Sequence, residues 1–176
     1  VDSGWSSSGD KPWYAQTDAV YEGSYALRSG KITDAQESVL VLERETGAGT
    51  GYFYVMASTE QDWDALEFLL NGRVLGKWSG RVNWTKFEFA LEAGNNRLEW
   101  RYRKDSSTFA GMDAVFIDNV FIPEVPVVEP PPATKPTLVV AGVTAEGLQL
   151  TVTGDAATEY DVQFSTDLNA WSSLAK

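Results

Sequence analysis

Neither cysteine nor histidine occurs in the 176 residues. That removes disulfide frameworks, thiolate and imidazole metal sites, and every nucleophilic mechanism built on Cys or on a His base. Cations are scarce too: 14 Lys and Arg stand against 25 Asp and Glu, for a formal net charge of −11. So acidic a chain is unsuited to a phosphate backbone, and nucleic acid is excluded as a partner. No run of about 18 apolar residues exists, so no membrane span is expected. No stretch carries the periodicity of a helix of ordinary length.

Aromatic residues are abundant, at 12% with seven Trp. Surplus aromatics of this kind often mark recognition surfaces. The acidic balance fits an exported protein, or one that holds calcium with carboxylates and carbonyls. The chain reads as a piece of a longer exported protein.

The patterning is that of strands. In RLEWRYR, Leu98, Trp100 and Tyr102 fall on one face, and Arg97, Glu99, Arg101 and Arg103 on the other. Side chains alternate across a pleat, so this is a half-buried antiparallel strand. KFEFAL and DALEFLLN alternate likewise, and Asn71-Gly72 supplies the two positive-φ positions of a tight hairpin. Residues 64–103 are therefore expected to form a meander whose apolar face needs a second layer. In GYFYVMA, Tyr52, Tyr54 and Met56 take one face and Phe53, Val55 and Ala57 the other. Both faces are apolar, which suggests a central strand covered on both sides or bearing a ligand surface. Asp118 and Asn119 interrupt an apolar strand and need partners there.

Composition changes at 124–136, which hold five of the seven prolines. Such a stretch is a semi-rigid spacer and a domain boundary. Beyond it, 137–176 offers about four strands: Leu148, Leu150 and Val152 alternate, as do Tyr160, Val162 and Phe164, and Trp171 follows an Asp-Leu-Asn turn. That is fewer than the roughly seven strands of a complete immunoglobulin-like sandwich. The expected fold is thus all-β: a jelly-roll β-sandwich over 1–123, a Pro-rich linker over 124–136, and a small partial immunoglobulin-like β module over 137–176.

Residues 1–123 resemble a bacterial extracellular module of the MAM-like or concanavalin-like jelly-roll kind. The resemblance rests on Trp5, SGD (8–10), Pro12-Trp13, EGSYALRSG (22–30), KITDAQES (31–38), GTG (49–51) and STE (58–60). It continues through DALEF (64–68), Ser79-Gly80, Trp84, LEWRYRKD (98–105) and DAVFIDNV (113–120). One departure stands out: relatives tend to carry Trp in the strand after GTG, where Tyr52, Phe53 and Tyr54 stand here. The last 40 residues are similar to a short fibronectin-like unit of Verrucomicrobia-type surface proteins, through Y-x-V-x-x-S-T-D-L-x-x-W at 160–171. The resemblance implies a non-catalytic appendage of a secreted or cell-surface bacterial protein.

Candidate sites follow from chemistry. Sugar rings stack their C–H faces on indoles and phenols, so Trp13, Tyr14, Trp63 and Trp78, with polar and Gly neighbours, are candidate ligand contacts. The alternative is that they plug the gap between loop and core, as Trp5, Trp84 and Trp100 are expected to do. Arg101 and Arg103, with Arg97, form a stripe able to grip anionic groups; cross-strand pairing with Glu67, Glu88 and Glu99 is the blander reading. Glu60, Asp62 and Asp64 share a side if extended and then need a cation, and Asp34 with Glu37 gather further oxygens. Structural Ca2+ is the one cofactor this pattern admits. Nothing places two carboxyls across an apolar cleft, so no enzyme is expected. The expected function is a non-catalytic extracellular carbohydrate-binding accessory module that anchors a larger exported protein to polysaccharide. The alternative is a structural or adhesive segment that assembles with other chains or neighbouring domains by strand addition.

Overall fold

The computed structural model describes residues 4–127, 135–145, 147–156 and 158–175, and no helix occurs among them. Most of the Pro-rich stretch, residues 128–134, lies outside the described residues. The chain divides into two compact units, Val1–Val127 and Val128–Lys176.

The first unit is a jelly-roll β-sandwich of ten strands. In chain order they are β1 (Trp5–Gly9), β2 (Tyr14–Gln16), β3 (Ala26–Arg28), β4 (Glu37–Thr46) and β5 (Gly49–Ser58), followed by β6 (Ala65–Leu70), β7 (Arg73–Ser79), β8 (Arg81–Leu91), β9 (Gly94–Arg103) and β10 (Ala114–Phe121). They form two five-stranded sheets, ordered β1-β4-β9-β6-β7 and β2-β3-β10-β5-β8. Strand β9 lies at the centre of the first, antiparallel to β4 and β6. Its alternation puts Leu98, Trp100 and Tyr102 fully inside, while Arg97 and Arg101 stay half-exposed outside. From the opposite sheet Phe53 meets Trp100 at 5.4 Å and Phe68 at 4.8 Å between ring centroids. Each such fully buried side chain stabilises the fold by about 1.5–3 kcal/mol relative to exposure.

The Asn71-Gly72 hairpin is present, with φ of 51° and 80°. The expected meander is not. Strand β8 leaves the first sheet and pairs with β5 in the second, and β9 returns to the other side of β6. Gly80, at φ 71°, turns that corner; a Cβ there would lie 1.9 Å from Gln61 Oε1. The crossover brings Phe87 and Phe89 of β8 against Phe53 and Phe68 in the core. Glu88 consequently lies in the other sheet from the Arg stripe it was expected to face, and pairs with Lys86.

Strand β10 breaks register between Asp118 and Phe121, with Asn119 at φ 47°. Such a bulge re-aims side chains. Asp118 Oδ2 accepts from the backbone N–H groups of Tyr21 and Glu22 at 2.8 and 3.1 Å. The Asn119 amide donates to Glu22 Oε2 at 2.7 Å. The two polar residues that interrupt the apolar run therefore hold the loop between β2 and β3.

The second unit is a small β module of two antiparallel hairpins. One joins β11 (Thr137–Thr144) to β12 (Gly147–Thr153), the other β13 (Val162–Phe164) to β14 (Ser172–Ala175). None of its described side chains is buried.

Candidate functional site

Tyr52, Tyr54 and Met56 of β5 point away from the core, and antiparallel register sets their neighbours on the same outer face. Met56 pairs with Phe116, Phe116 with Arg28, and Arg28 with Tyr14. Tyr54 lies between Asp118 and Lys86, and Tyr52 between Phe121 and Glu88. Trp84 stands on this side too, 6.5 Å from Phe116. Tyr21 completes the array from the loop that Asp118 holds. It stacks on Tyr54 at 3.7 Å and lies 6.1 Å from Trp84. Tyr52 stacks on Phe121 at 5.2 Å.

The outer face of the second sheet is thus a continuous aromatic surface rimmed by charge. Tyr14, Tyr21 and Phe121 keep 38%, 43% and 46% of their area exposed, and Tyr52, Tyr54 and Trp84 are half-exposed. Lys86 Nζ sits 4.2 Å above the Tyr52 ring and donates to Glu88 Oε1 at 2.6 Å. That hydrogen bond raises the Lys86 ammonium above its ordinary value. The Tyr54 hydroxyl bond, followed by desolvation, raises the Tyr21 phenol above its ordinary value.

A second polar centre lies at the end of the sandwich where β6 begins and β9 ends. Carboxylate oxygens of Glu60, Asp64 and Asp105 lie within 4.8 Å of one another. Asp64 is fully buried, accepts from the Asp105 N–H at 3.0 Å, and pairs with Lys104 at 3.3 Å. Lys104, itself buried, also pairs with Asp113 at 2.6 Å and approaches Asp34 at 4.0 Å. Burial pulls the Lys104 ammonium down, but the hydrogen bond and charge of Asp113, with those of Asp64, outweigh it and hold it above its ordinary value. Glu60 is pushed up, first by desolvation and then by repulsion from Asp105 and Asp64. Its Oε2 is buried without a hydrogen-bond partner.

The sequence-predicted ligand residues do not converge. Trp13 is only 7% exposed and belongs to the core, because the chain enters β2 with Trp13 inward and Tyr14 outward. Trp78 packs half-buried against Phe53 and Phe87. Trp63 stands alone at a loop tip, 67% exposed. Only Tyr14 reaches the aromatic face. Arg101 and Arg103 lie on the other sheet, paired with Glu99 and Glu37, and Arg97 with Glu43 and Glu99.

The predicted metal residues also divide. Glu60 and Asp64 come together, but through a turn rather than an extended run. Asp62, at φ 68°, accepts from Gln61 instead. Glu37 is taken up by Arg103. Asp105 joins the cluster because β6 and β9 pair with Ala65 opposite Arg103; no sequence spacing signals it. Tyr21, Arg28, Phe121 and Trp84 also escaped the sequence reading as a surface. The signal that pointed there was the apolar outer row of β5.

No protein-family model matches the sequence, and no curated protein matches it. Among solved structures, the chain is similar to the secreted serine protease VesC from Vibrio cholerae, at 19% identity and TM-score 0.54; the match covers 67% of this chain and 24% of that one. It is also similar to the K2 cleaved adhesin domain of Lys-gingipain, at 12% identity and TM-score 0.51, covering 68% and 88%. A third similarity is to TmCBM61 in complex with β-1,4-galactotriose, at 16% identity and TM-score 0.49, covering 69% and 88%. The chain therefore spans about a quarter of the VesC chain, and what VesC and the K2 domain share with it is the fold.

Proposed function

We propose that the first unit is a non-catalytic glycan-binding accessory module of an exported protein, and that the outer face of the second sheet is its ligand surface. One observation carries this reading: six aromatic side chains, Tyr14, Tyr21, Tyr52, Tyr54, Trp84 and Phe121, share one open face with Arg28, Asp118, Lys86 and Glu88 among them. Exposed apolar area on that scale is unusual on a surface without a partner. Phenol and indole faces match the C–H faces of sugar rings, and the charged groups between them match hydroxyls. The carboxylates of Asp118 and Glu88 on this face are committed: Asp118 to three backbone amides, Glu88 to Lys86. That favours binding over acid–base catalysis. A polysaccharide affinity gel tests it. Tyr21→Ala and Trp84→Ala each lower retention about tenfold or more, whereas Trp63→Ala leaves it unchanged. Retention that follows Trp63 alone defeats the assignment of the face.

We infer that structural calcium braces the other end. Glu60, Asp64 and Asp105 would hold it, joining the loop after β5 to the loop after β9. The donors fit, being hard oxygens with excess negative charge and one orphaned buried oxygen on Glu60. Added Ca2+ should raise the unfolding midpoint, with EDTA reversing it and Asp105→Asn abolishing it. A midpoint indifferent to both, in protein that retains no calcium on dialysis, rejects the site.

A second reading has its own observation. The second unit exposes Leu138, Val140, Val143, Val152, Phe164, Trp171 and Leu174. Two-stranded hairpins with open edges and uncovered apolar side chains favour contact with another chain. On this reading the unit is an assembly segment of a surface protein.

A further inference from the structure

We infer that Arg28 is a subsite for an anionic sugar, so that the glycan taken by the aromatic face carries uronate carboxylates or sulfate esters; this rests on the glycan-binding reading above. Four described cations are not fully exposed: Arg28, Arg97, Arg101 and Lys104. Arg97, Arg101 and Lys104 each have a carboxylate partner. Arg28 has none among the described residues, in a chain of net charge −11. A half-buried guanidinium there gives up part of its hydration, and its neighbours return hydrogen bonds and ring faces but no neutralising charge. Its setting accounts for how it is held. The guanidinium carbon lies 5.7 Å from the ring centroids of both Tyr14 and Phe116. One terminal nitrogen donates to the Tyr14 hydroxyl, and the other to the Met112 carbonyl at 3.3 Å.

These contacts fix the plane and leave part of the donor fork unused. A planar fork held by aromatic faces is suited to an oxyanion, bidentately. Trp84 lies against the same Phe116 ring from β8. A sugar ring stacked there therefore has its neighbour's anionic group within reach of Arg28. The overall negative charge does not forbid this, because exposed carboxylates beyond a Debye length of about 8 Å are screened at physiological salt.

Affinity electrophoresis of the full chain in polygalacturonate, carboxyl-reduced polygalacturonate and dextran sulfate tests the subsite. At least one anionic polymer should bind about tenfold or more tightly than the carboxyl-reduced one. Which of the two does so separates carboxylate from sulfate. Arg28→Gln should erase that preference, so that anionic and carboxyl-reduced polymers bind alike, and Arg28→Lys should restore only part of it. Wild-type preference that weakens as salt rises supports the pair without any variant. Equal binding of neutral and anionic polymers, unchanged in Arg28→Gln, overturns the subsite and leaves the platform standing. No binding of any polymer overturns both.

Discussion

Lys104 shows how single charges set the limits of this sandwich. It lies in a region otherwise crowded with carboxylates, and its ammonium serves Asp64 and Asp113 at once. Asp113 also accepts from the Tyr102 hydroxyl at 3.0 Å. Burial, together with the nearby Asp113 and Asp64 charges, pushes the Tyr102 phenol far above its ordinary value, so it stays protonated and keeps donating. Removing one member of a buried pair is costly because the other is left charged and dry. Lys104→Met keeps the aliphatic stem but strands a fully buried Asp64. It should therefore destabilise the first unit by about 3–5 kcal/mol in urea unfolding. A loss below about 1 kcal/mol would mean that Asp64 is neutralised some other way, for which bound calcium is the candidate; repeating the measurement in EDTA separates the two. Compare Glu99, on the outer face but buried between Arg97 and Arg101. Val39, Val41 and Leu69 lie buried in register with Arg101 and Glu99, and the stripe is spent on carboxylates of its own sheet.

At the scale of strands, the alternation of a sequence tells which residues share a face; for β6 and β9 that was enough to find the core side, whereas for β5 both rows are apolar and alternation only separates Tyr52, Tyr54 and Met56 from Phe53, Val55 and Ala57. It does not tell which strand lies alongside. The crossover of β8 and the arrival of Asp105 beside Asp64 are matters of pairing between distant segments, and no local pattern encodes them. Trp13 and Tyr14 illustrate the same limit: neighbours in sequence, they take opposite faces, and only the position of the core decides which one a ligand can meet. The β10 bulge is legible in part, since Asp118-Asn119 announced a need for partners but not that those partners were the amides of Tyr21 and Glu22. Asp118→Ala should release that loop: hydrogen exchange at Tyr21 and Glu22 accelerates, glycan affinity falls with Tyr21, and the β9 amides stay protected. Equal acceleration across both sheets would mean the bulge supports the core instead. In the second unit, Asp167 accepts from the N–H groups of Ala170 and Asn169 at 3.0 and 2.9 Å, and these bonds lower its carboxyl below the ordinary value. Asp161 is lowered by Ser173 and Gln163. A depressed carboxyl stabilises the folded hairpin above the unfolded value, near pH 3.8, and loses that contribution as pH falls through the folded one. The Asn169 and Ala170 amides should therefore lose protection below about pH 4, and Asp167→Asn should remove the pH dependence.

For the whole molecule, the decisive contrast is where apolar area is hidden. Among the described residues, every member of the core, from Trp13 to Ile122, belongs to the first unit. The second unit has about 40 residues beyond the prolines, near the size at which a chain without disulfides or metal cannot fold alone. The fragment 1–127 should thus keep its near-ultraviolet circular dichroism, unfold in one cooperative step and retain the glycan surface. The fragment 128–176 should show no cooperative transition. If exposed Val, Leu and aromatic side chains on open hairpins are contact surface, the full chain should associate as concentration rises through the micromolar range, and the fragment 1–127 should sediment as a monomer throughout. Association that persists in 1–127 would assign the contact to the sandwich, and competition by soluble polysaccharide would place it on the aromatic face rather than at Trp63 or Phe109, which are also exposed there. A full chain that stays monomeric would leave the hairpins without a partner of their own kind and set the assembly reading aside in favour of the glycan one.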